Sequence, residues 1–433
     1  MTRPSTALLT DHYELTMISA ARSHPAADRP CVFEVFARRL PDGRRYGVVG
    51  GTGRLLDALA DFRFTSDELA LVSEFLDDET VAWLADYRFT GQIDGYREGE
   101  LYFPGSPILT VKAPFADAVI LETLILSILN HDSAIASAAA RMVSAAGTRP
   151  IIEMGSRRTH EYAAVASARA AYLAGVTATS NLEAARSYGV PSAGTAAHAF
   201  TLLFTDEKGP QETDAFRAQV ARLGTGTTLL VDTYDITRGV ANAIEAAGPE
   251  LGAVRIDSGD LGILARQVRD QLDSLGAHKT KIVVSGDLDE YAIASLRAEP
   301  VDIYGVGTSL VTGSGAPTAG MVYKLVEIDG IPVAKRSSHK ESHGGAKGAA
   351  RIARPSGTVT EEVLYPAGAP APEVAGHATT PLQVPLVRDG AVVADAGTLT
   401  DAREHLRAAL VTLPWEGLGL SHGEPAIPTR YAF

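Results

Sequence analysis

The sequence reads Glu153-Met-Gly-Ser-Arg-Arg-Thr-His160 at the start of a long stretch in which short polar clusters follow apolar, strand-like runs. The further clusters are Thr179-Ser-Asn181, Gly194-Thr-Ala-Ala-His198, Val231-Asp-Thr-Tyr-Asp235, Arg255-Ile-Asp-Ser-Gly-Asp260, Ser285-Gly-Asp287 and Gly305-Val-Gly-Thr-Ser309. Each cluster comes roughly one strand and one helix after the previous one, which is typical of parallel strands joined by crossover helices. Barrel enzymes place their chemistry at the carboxyl ends of such strands. Residues 153–309 are therefore predicted to form the active-site half of an α/β barrel.

The whole chain divides into three stretches, and the middle one contains this pattern. Residues 1–113 mix helical and strand patterns, as an α+β domain does. Residues 114–320 begin with a long Ala- and Leu-rich helix and continue as the barrel, and residues 321–433 return to strands followed by one amphipathic helix. A strand is predicted around Gln92–Tyr96 in the first stretch. The predicted strands of the barrel are Ile151–Met154, Val176–Thr179, Thr228–Val231, Ala253–Ile256, Lys281–Val284 and Asp302–Tyr304, and its predicted helices include Arg158–Ala174, Ile236–Ala247, Leu261–Leu275 and Asp289–Ala298. The last stretch is expected to pack on the N-terminal domain.

Composition excludes several classes of protein. The chain has 39 basic and 52 acidic residues among 433, a net charge of −13, which argues against nucleic acid or an anionic membrane as the main partner. Its single cysteine, Cys31, rules out an intramolecular disulfide and a cysteine-cluster metal site. The longest apolar stretch, around Ala116 to Leu129, is interrupted by Asp117 and Glu122, and the first residues lack a long apolar segment. We therefore expect a cytoplasmic protein with no membrane span.

Several strand-end residues are candidates for binding or catalysis. Ser156-Arg157-Arg158 opens a helix after a buried strand, where backbone N–H groups and a guanidinium can bind an anion; the alternative is a capped helix with solvated arginines. A single histidine at such a position, like His198, is more often a structural residue than a nucleophile. A group of aspartates changes that interpretation, because all of them fall on the same predicted face. Singly each is a helix N-cap, but together they suggest a magnesium-phosphate site: Asp232, Asp235, Asp257, Asp260 and Asp287.

Two short glycine turns follow the late strands. Gly286-Asp287 and Gly307-Thr308 occupy the positions where barrels usually cradle phosphate, because glycine lets backbone amides approach the oxygens closely. The turns do not form a dinucleotide fingerprint, since the third glycine and a ribose-binding acid are missing. No Gly-x-x-x-x-Gly-Lys-Ser/Thr motif is present either. Any nucleotide that binds is therefore not held in a P-loop.

These motifs, together with two others, resemble nicotinate phosphoribosyltransferase. The resemblance runs almost from end to end of the chain, and it rests on the ordered set Leu8-Leu-Thr-Asp-His-Tyr-Glu-Leu-Thr-Met17, Gly155-Ser-Arg-Arg158, Gly194-Thr-Ala-Ala-His198, Val231-Asp-Thr-Tyr-Asp235, Arg255-Ile-Asp-Ser-Gly-Asp260 and Tyr323-Lys-Leu-Val-Glu327. It implies an irregular α/β barrel joined to an α+β domain built from both chain ends. It also implies synthesis of nicotinate mononucleotide and pyrophosphate from nicotinate and phosphoribosyl pyrophosphate, in NAD biosynthesis, with ATP hydrolysis and Mg²⁺.

The resemblance also implies roles for single residues. His198 is expected to be phosphorylated by ATP, and Arg255 and Asp257, with Asp232 beside them, to line the base and ribose region. Tyr13 resembles the aromatic residue that stacks on the pyridine ring, often from a neighbouring subunit, so a homodimer with shared active sites is implied. Arg157, Ser180 and Asn181 are expected to meet the substrate phosphates or carboxylate, and Gly286, Asp287, Gly307 and Thr308 the 5′-phosphate. Magnesium is expected to bind with the substrate phosphates, without a protein-only site.

Two features depart from the family pattern. Met154 stands where relatives usually have phenylalanine on the other side of the pyridine ring, although a thioether also packs against aromatic rings. The segment from Lys335 to Lys347 resembles a lysine-glycine motif of the family but lacks the proline of that motif. The departure affects the expected role of Lys340 and Lys347, which would be the phosphate ligands of this segment. A basic, glycine-rich loop suits a mobile phosphate lid, whereas the other interpretation is a solvated linker.

The mechanism predicted from these residues is displacement of pyrophosphate from C1 of the ribose by the pyridine nitrogen, through an oxocarbenium-like state. This step needs orientation and charge stabilisation, and no protein nucleophile. Three alternatives stay open. A nicotinamide-specific relative would favour an acidic residue where this chain has Ser180-Asn181, a quinolinate-type enzyme would not hydrolyse ATP, and a silent sugar-phosphate-binding protein would not release pyrophosphate.

Overall fold

The protein, described here as a computed structural model, divides into two compact units. Residues 4–335, 343–393 and 397–433 are described. One unit comprises Met1–Ser137 with Ala316–Phe433, and the other comprises Ala138–Gly315. The long helix Glu122–Ala146 begins in the first unit, where Leu124 and Leu129 are buried in the hydrophobic core. The three-part division at residues 113 and 320 stays a prediction.

The second unit is built on a parallel sheet. Its six strands lie in the order Thr228–Leu230, Ala253–Ile256, Lys281–Val284, Ile303–Val306, Ile151–Glu153 and Ala178–Thr179. Every neighbouring pair is parallel. Within the described residues, the two outermost strands do not pair with each other, so the barrel is open on one side. The predicted α/β class, with an irregular barrel, is confirmed.

Helices connect these strands. They span Glu161–Leu173, Leu182–Tyr188, His198–Leu203, Glu212–Leu223, Ile236–Ala247, Leu261–Ser274, Glu290–Ser295 and Thr308–Val311, with 3₁₀ turns at Ser156–Arg158 and Leu296–Ala298 and a small hairpin of Thr205–Asp206 with Gly209–Pro210. Three of the helices begin at aspartate N-caps, which are Asp235, Asp260 and Asp289. The side chain of Asp235 accepts the backbone N–H of Arg238, and that of Asp260 accepts the N–H of Ile263.

The first unit combines strands from both ends of the chain. Its large sheet has seven strands in the order Ile331–Pro332, Met321–Ile328, Pro30–Ala37, Leu109–Pro114, Gln92–Tyr96, Gln383–Arg388 and Ala391–Val392. A four-stranded sheet contains Ala378–Pro381, Lys347–Ala353, Val359–Pro366 and Thr429–Tyr431, and Gly47–Val48 pairs with Leu101–Tyr102. Because Pro30–Ala37 pairs directly with Met321–Ile328, the expected α+β domain built from both termini is confirmed.

The helices of the first unit cover these sheets. They span His12–Arg22, Thr52–Ala60, Ser66–Val72, Asp78–Asp86, Phe115–Val119 and Leu399–Thr412, with 3₁₀ turns at Ala7–Leu9, Pro25–Asp28 and Trp415–Leu418. In the described part of the chain, one helical stretch, Phe115–Ala146, is long and apolar enough to cross a membrane, but 67% of its most apolar window is buried within the protein. A core helix has the same length and composition, so this stretch is weak evidence for a membrane span.

Candidate active site

His198 lies at the start of the helix His198–Leu203, beside the ends of two parallel strands. Its Nδ1 is 3.1 Å from the hydroxyl of Thr233. Its Nε2 is 3.9 Å from Oδ1 of Asp232 and 3.9 Å from Oδ2 of Asp257. The imidazole is 41% exposed. The ring is therefore open to an incoming ligand on one side and faces two carboxylates on the other.

Asp232 is the more deeply buried of these two carboxylates, with its side chain only 1% exposed. Its Oδ2 accepts the backbone N–H of Asp257 at 2.7 Å and the hydroxyl of Ser258 at 3.0 Å. Its Oδ1 has no hydrogen-bond partner among the residues that the structure describes. A buried acceptor without a partner is costly, so this oxygen marks a place where a cation or a hydrogen-bond donor of a ligand would bind favourably.

Arg255 connects the other polar side chains of the cluster. Its three nitrogens donate to Asp257 Oδ1 at 2.9 Å, to Thr195 Oγ1 at 3.1 Å and to Ser285 Oγ at 2.8 Å. Ser285 in turn donates to Asp257 Oδ1 at 2.5 Å. Burial favours a higher pKa for Asp257, but the Ser285 hydrogen bond and the Arg255 charge outweigh it and lower the pKa below its usual value. Asp257 is consequently ionised at neutral pH.

The structure brings together four of the predicted residues, His198, Arg255, Asp232 and Asp257. Asp235 and Asp260 each use one carboxylate oxygen to cap a helix, as the single-residue interpretation expected, and the convergence of all five carboxylates stays a prediction. The position after a strand is also the N-cap of the next helix, and the capping role applies here. In the described ranges, no group of three or more His, Cys, Asp or Glu side chains could hold a metal ion.

Two loops carry the predicted anion-binding residues on the neighbouring strands. Arg157 is exposed in the 3₁₀ turn Ser156–Arg158, and Ser180 is exposed at the end of the strand Ala178–Thr179. Asn181 caps the following helix through its Oδ1, which accepts the N–H of Ala184 at 2.8 Å. Its Nδ2 donates to Ser156 Oγ at 3.0 Å, so the two loops contact each other.

Met154 and the glycine turns lie at the ends of adjoining strands. The N–H of Met154 donates to the carbonyl of Val306 at 2.7 Å. A Cβ at Gly305 would lie 2.9 Å from the Met154 sulfur, so glycine is needed for the thioether to occupy this place. Gly307 is the N-cap residue of the short helix that Thr308 begins. Gly286 has a φ of 114°, and a Cβ there would come within 2.4 Å of the Asp257 carbonyl oxygen, while Asp287 itself has a φ of 49°.

Tyr13 and Lys347 belong to the first unit. Tyr13 is 46% exposed on the helix His12–Arg22, and burial, with Glu122 next in importance, raises its pKa to about 12. The phenol is therefore protonated at neutral pH. Lys347 is buried, with its Nζ 2.7 Å from Oε2 of Glu34, beside a cavity of about 640 Å³. The Lys347 ammonium is therefore paired and buried, unlike that of a lysine in a solvated linker. Lys340 lies outside the described residues.

Four hydroxyl groups of the cluster were not predicted from the sequence. They belong to Thr195, Thr233, Ser258 and Ser285, and each bonds His198, Arg255 or one of the two aspartates. All four occur within the polar clusters after the strands, next to the residues that were selected. Their position after the strands was therefore visible in the sequence. Serine and threonine are so common at helix starts, however, that residue type alone does not identify these four as members of the site.

Comparison with known proteins agrees with this arrangement. The chain is 67% identical over 426 residues to the nicotinate phosphoribosyltransferase pncB1 of Mycobacterium tuberculosis, a match that covers 98% of this chain and 94% of that protein. The chain belongs to the nicotinate phosphoribosyltransferase family. A family model described as the nicotinate phosphoribosyltransferase N-terminal domain matches residues 8–130. The nicotinate phosphoribosyltransferase of Bacillus subtilis is 37% identical, over 75% of this chain and 67% of that protein.

Solved structures of similar proteins share the fold of this family member. The crystal structure of human nicotinic acid phosphoribosyltransferase superimposes with a TM-score of 0.84 at 26% identity, covering 98% of this chain and 97% of the human one. A nicotinate-nucleotide pyrophosphorylase from Pyrococcus furiosus gives a TM-score of 0.78 at 25% identity, covering 94% and 95% of the two chains. The barrel and the domain built from both chain ends are therefore those of the family.

Proposed function

We propose that the cluster around Arg255 transfers the phosphoribosyl group to nicotinate. Family membership gives the activity: the chain is a nicotinate phosphoribosyltransferase, an enzyme of NAD biosynthesis. The observation that supports the site is the set of three hydrogen bonds that fixes Arg255 between Asp257, Ser285 and Thr195 at the ends of parallel strands. Such strand ends are where barrel enzymes bind their substrates.

In the transfer step, the bond between C1 of the ribose and the pyrophosphate oxygen breaks, and a bond between C1 and the pyridine nitrogen forms. The electron pair of the broken bond leaves with pyrophosphate. Positive charge develops on the ribose ring, and the ionised carboxylate of Asp257 stabilises it. Arg255 binds the anionic groups of the substrates and keeps Asp257 in place. No proton transfer to the protein is required.

The remaining predicted residues bind the substrates. Nicotinate lies against Met154 and against Tyr13 of the partner subunit, and its carboxylate is bound near the two loops that carry Arg157, Ser180 and Asn181. Two observations support this assignment: Arg157 is exposed, and the residue before it, Ser156, is hydrogen-bonded to Asn181 of the other loop. The 5′-phosphate is held by the backbone of the turns Gly286-Asp287 and Gly307-Thr308.

His198 serves ATP. The γ-phosphoryl group of ATP passes to an imidazole nitrogen with release of ADP, and water later removes it as phosphate. Nε2 lies 3.9 Å from each of two carboxylates, whereas Nδ1 lies 3.1 Å from the neutral hydroxyl of Thr233, so an anionic phosphoryl group meets less repulsion at Nδ1. The added charge at His198 couples ATP hydrolysis to substrate binding and product release.

Magnesium fits this site as a partner of the substrate phosphates. Oδ1 of Asp232 is buried without a hydrogen-bond partner in the part of the chain that the structure describes, and it supplies a hard oxygen of the kind Mg²⁺ prefers. The ion, when bound, neutralises charge on the departing pyrophosphate. Asp232 and Asp257 are the residues that would face it. The further proposals are a homodimer in which Tyr13 completes the site of the neighbouring subunit, and a cytoplasmic location.

Pyrophosphate release with nicotinate, nicotinamide or quinolinate, each with and without ATP, tests the function. We expect release with nicotinate alone among the three bases, faster with ATP and accompanied by ADP. Preference for nicotinamide would indicate the amide-specific relative, and quinolinate turnover without ATP hydrolysis would indicate the quinolinate-type enzyme. Tight binding of phosphoribosyl pyrophosphate with no release from any base would indicate the silent binding protein.

A further inference from the structure

Glu153 is a buried carboxylate at the end of the strand Ile151–Glu153, and the reaction described above does not use it. It is 1% exposed. Its Oε1 accepts the backbone N–H of Gly155, and its Oε2 accepts the hydroxyl of Thr179 at 2.5 Å. Burial raises its pKa, and the two hydrogen bonds only partly oppose the shift. Burying a carboxylate costs folding free energy unless its oxygens are hydrogen-bonded, so the contacts of Glu153 are what keep it in this place.

These contacts join the two loops that carry the predicted anion-binding residues. Residues 155–158, the arginine loop, begin at the N–H that Glu153 accepts. Residues 179–181, the asparagine loop, are held twice: Thr179 donates to the carboxylate, and the N–H of Ser180 donates to the Glu153 carbonyl at 2.8 Å. The Thr179 hydroxyl also accepts the N–H of Asn181 at 3.0 Å. Glu153 therefore forms hydrogen bonds to both loops.

We propose that Glu153 is a positioning residue that fixes the distance between the arginine loop and the asparagine loop, and thereby the affinity for the carboxylate of the pyridine substrate. The inference rests on the proposed function of those loops. Glu153 itself is buried and does not touch the substrate. A carboxylate suits this task better than an amide, because each of its oxygens accepts a hydrogen bond from a different loop, whereas glutamine offers one acceptor. Because these hydrogen bonds fix the loops before the substrate arrives, substrate binding costs less conformational entropy.

Four variants test the proposal in the full-length enzyme: Glu153→Ala, Glu153→Gln, Thr179→Val and, as a matched control, Thr177→Val. Thr177 loses a hydroxyl hydrogen bond of similar length, 2.7 Å to the Ile151 carbonyl, two residues away and outside both loops. We expect Glu153→Ala and Thr179→Val to raise the KM for nicotinate about tenfold while kcat changes less than about twofold, as loss of a buried hydrogen bond that serves binding predicts. Glu153→Gln should restore part of the affinity, and Thr177→Val should leave KM unchanged.

The double variant Glu153→Ala with Thr179→Val sharpens the test. If both residues act through the same contact, its KM should equal that of the worse single variant. An unchanged KM in a folded Glu153→Ala or Thr179→Val enzyme would overturn the proposal, as would a fall in kcat at constant KM. Should Glu153→Ala fail to fold, Thr179→Val alone decides. Absence of pyrophosphate release from the unmodified enzyme would instead contradict the proposed function.

Discussion

The guanidinium of Arg255 donates to three different side chains, and each contact uses a different nitrogen. Removal by Arg255→Ala should lower kcat about a hundredfold or more, because a charge-stabilising donor is lost. It should also reduce the free energy of unfolding by about 1–3 kcal/mol, since Asp257 keeps a half-buried charge without its cation. Steady-state kinetics and urea unfolding measure the two effects.

Arg255→Lys and Arg266→Ala are the matched comparisons. An ammonium cannot reproduce the three-way geometry, so the lysine variant should recover only part of the activity. Arg266 forms an exposed pair with Glu299 at 3.2 Å, and its loss should change stability by less than about 1 kcal/mol. Wild-type activity in Arg255→Lys would show that the fork-shaped geometry is not required.

At the scale of elements, the turn after the strand Lys281–Val284 depends on Gly286. Any side chain at this position would meet the Asp257 carbonyl and push apart two neighbouring strand ends. Gly276 is a suitable control, because it also has a positive φ, 81°, but has open space around its Cβ position. We expect Gly276→Ala to cost about 1 kcal/mol of stability through backbone strain, and Gly286→Ala to cost more, because the clash with the Asp257 carbonyl adds to that strain. Only Gly286→Ala should reduce kcat; equal kcat in both variants would exclude a role for this close approach.

Some elements could be predicted to the residue from the sequence. The helix Ile236–Ala247 and the strands Gln92–Tyr96, Ala253–Ile256 and Lys281–Val284 have the predicted bounds. In the barrel, apolar runs of strand length alternate with helical periodicity, and aspartates and glycines mark the ends. The same regularity placed His198, Asp232, Arg255 and Asp257 at adjoining strand ends, because parallel strands bring their carboxyl ends to one edge of the sheet.

Other features could not be read in this way. The strands Lys347–Ala353, Val359–Pro366 and Ala378–Pro381 lie in a stretch rich in Gly, Ala and Pro, where alternation of apolar and polar residues is weak. Asp235 and Asp260 could not be separated from Asp232 and Asp257, because strand-end and N-cap positions coincide along the chain. No functional role could be predicted for Glu153, because only its buried hydrogen bonds to two loops distinguish it from an ordinary strand residue.

At the scale of the whole molecule, a buried ionic network joins both chain ends within the first unit. Arg351 donates to Glu100 at 2.7 Å and to Glu362 at 2.7 Å, and His405 lies 2.7 Å from the other oxygen of Glu100. Glu362 also accepts the hydroxyl of Tyr96 at 2.8 Å. Residues from before and after the barrel therefore depend on each other for their charge partners.

Glu100→Gln should destabilise the protein by about 3 kcal/mol at pH 7, because Arg351 then lacks one of its two anionic partners. Burial favours a higher pKa for Glu100, but His405 and Arg351 outweigh it and lower the pKa below its ordinary value of 4.5. This stabilisation is present above pH 4.5 and lost as the pH falls further. Chemical unfolding from pH 7 to pH 3 should show the difference from wild type shrinking below about pH 4.5.

The exposed pair of Glu361 and Arg430, 2.8 Å apart, provides the control for this network. Glu361→Gln should cost less than about 1 kcal/mol at any pH in this range. A penalty for Glu100→Gln as small as that for Glu361→Gln would contradict a structural role of the network. So would a difference from wild type that stays constant from pH 7 to pH 3.

The claim that ATP coupling and glycosyl transfer reside in different groups is tested most directly by His198→Ala incubated with γ-labelled ATP and then assayed for nicotinate mononucleotide without ATP. We expect the acid-labile phosphoenzyme and ATP hydrolysis to disappear, while slow ATP-independent synthesis is retained, because the displacement at C1 needs no imidazole. His278→Ala, at a histidine that is 71% exposed beside Asp273, should behave as wild type. Label that still enters His198→Ala would contradict the histidine assignment, and loss of all transfer in a folded, substrate-binding variant would contradict the separation of roles.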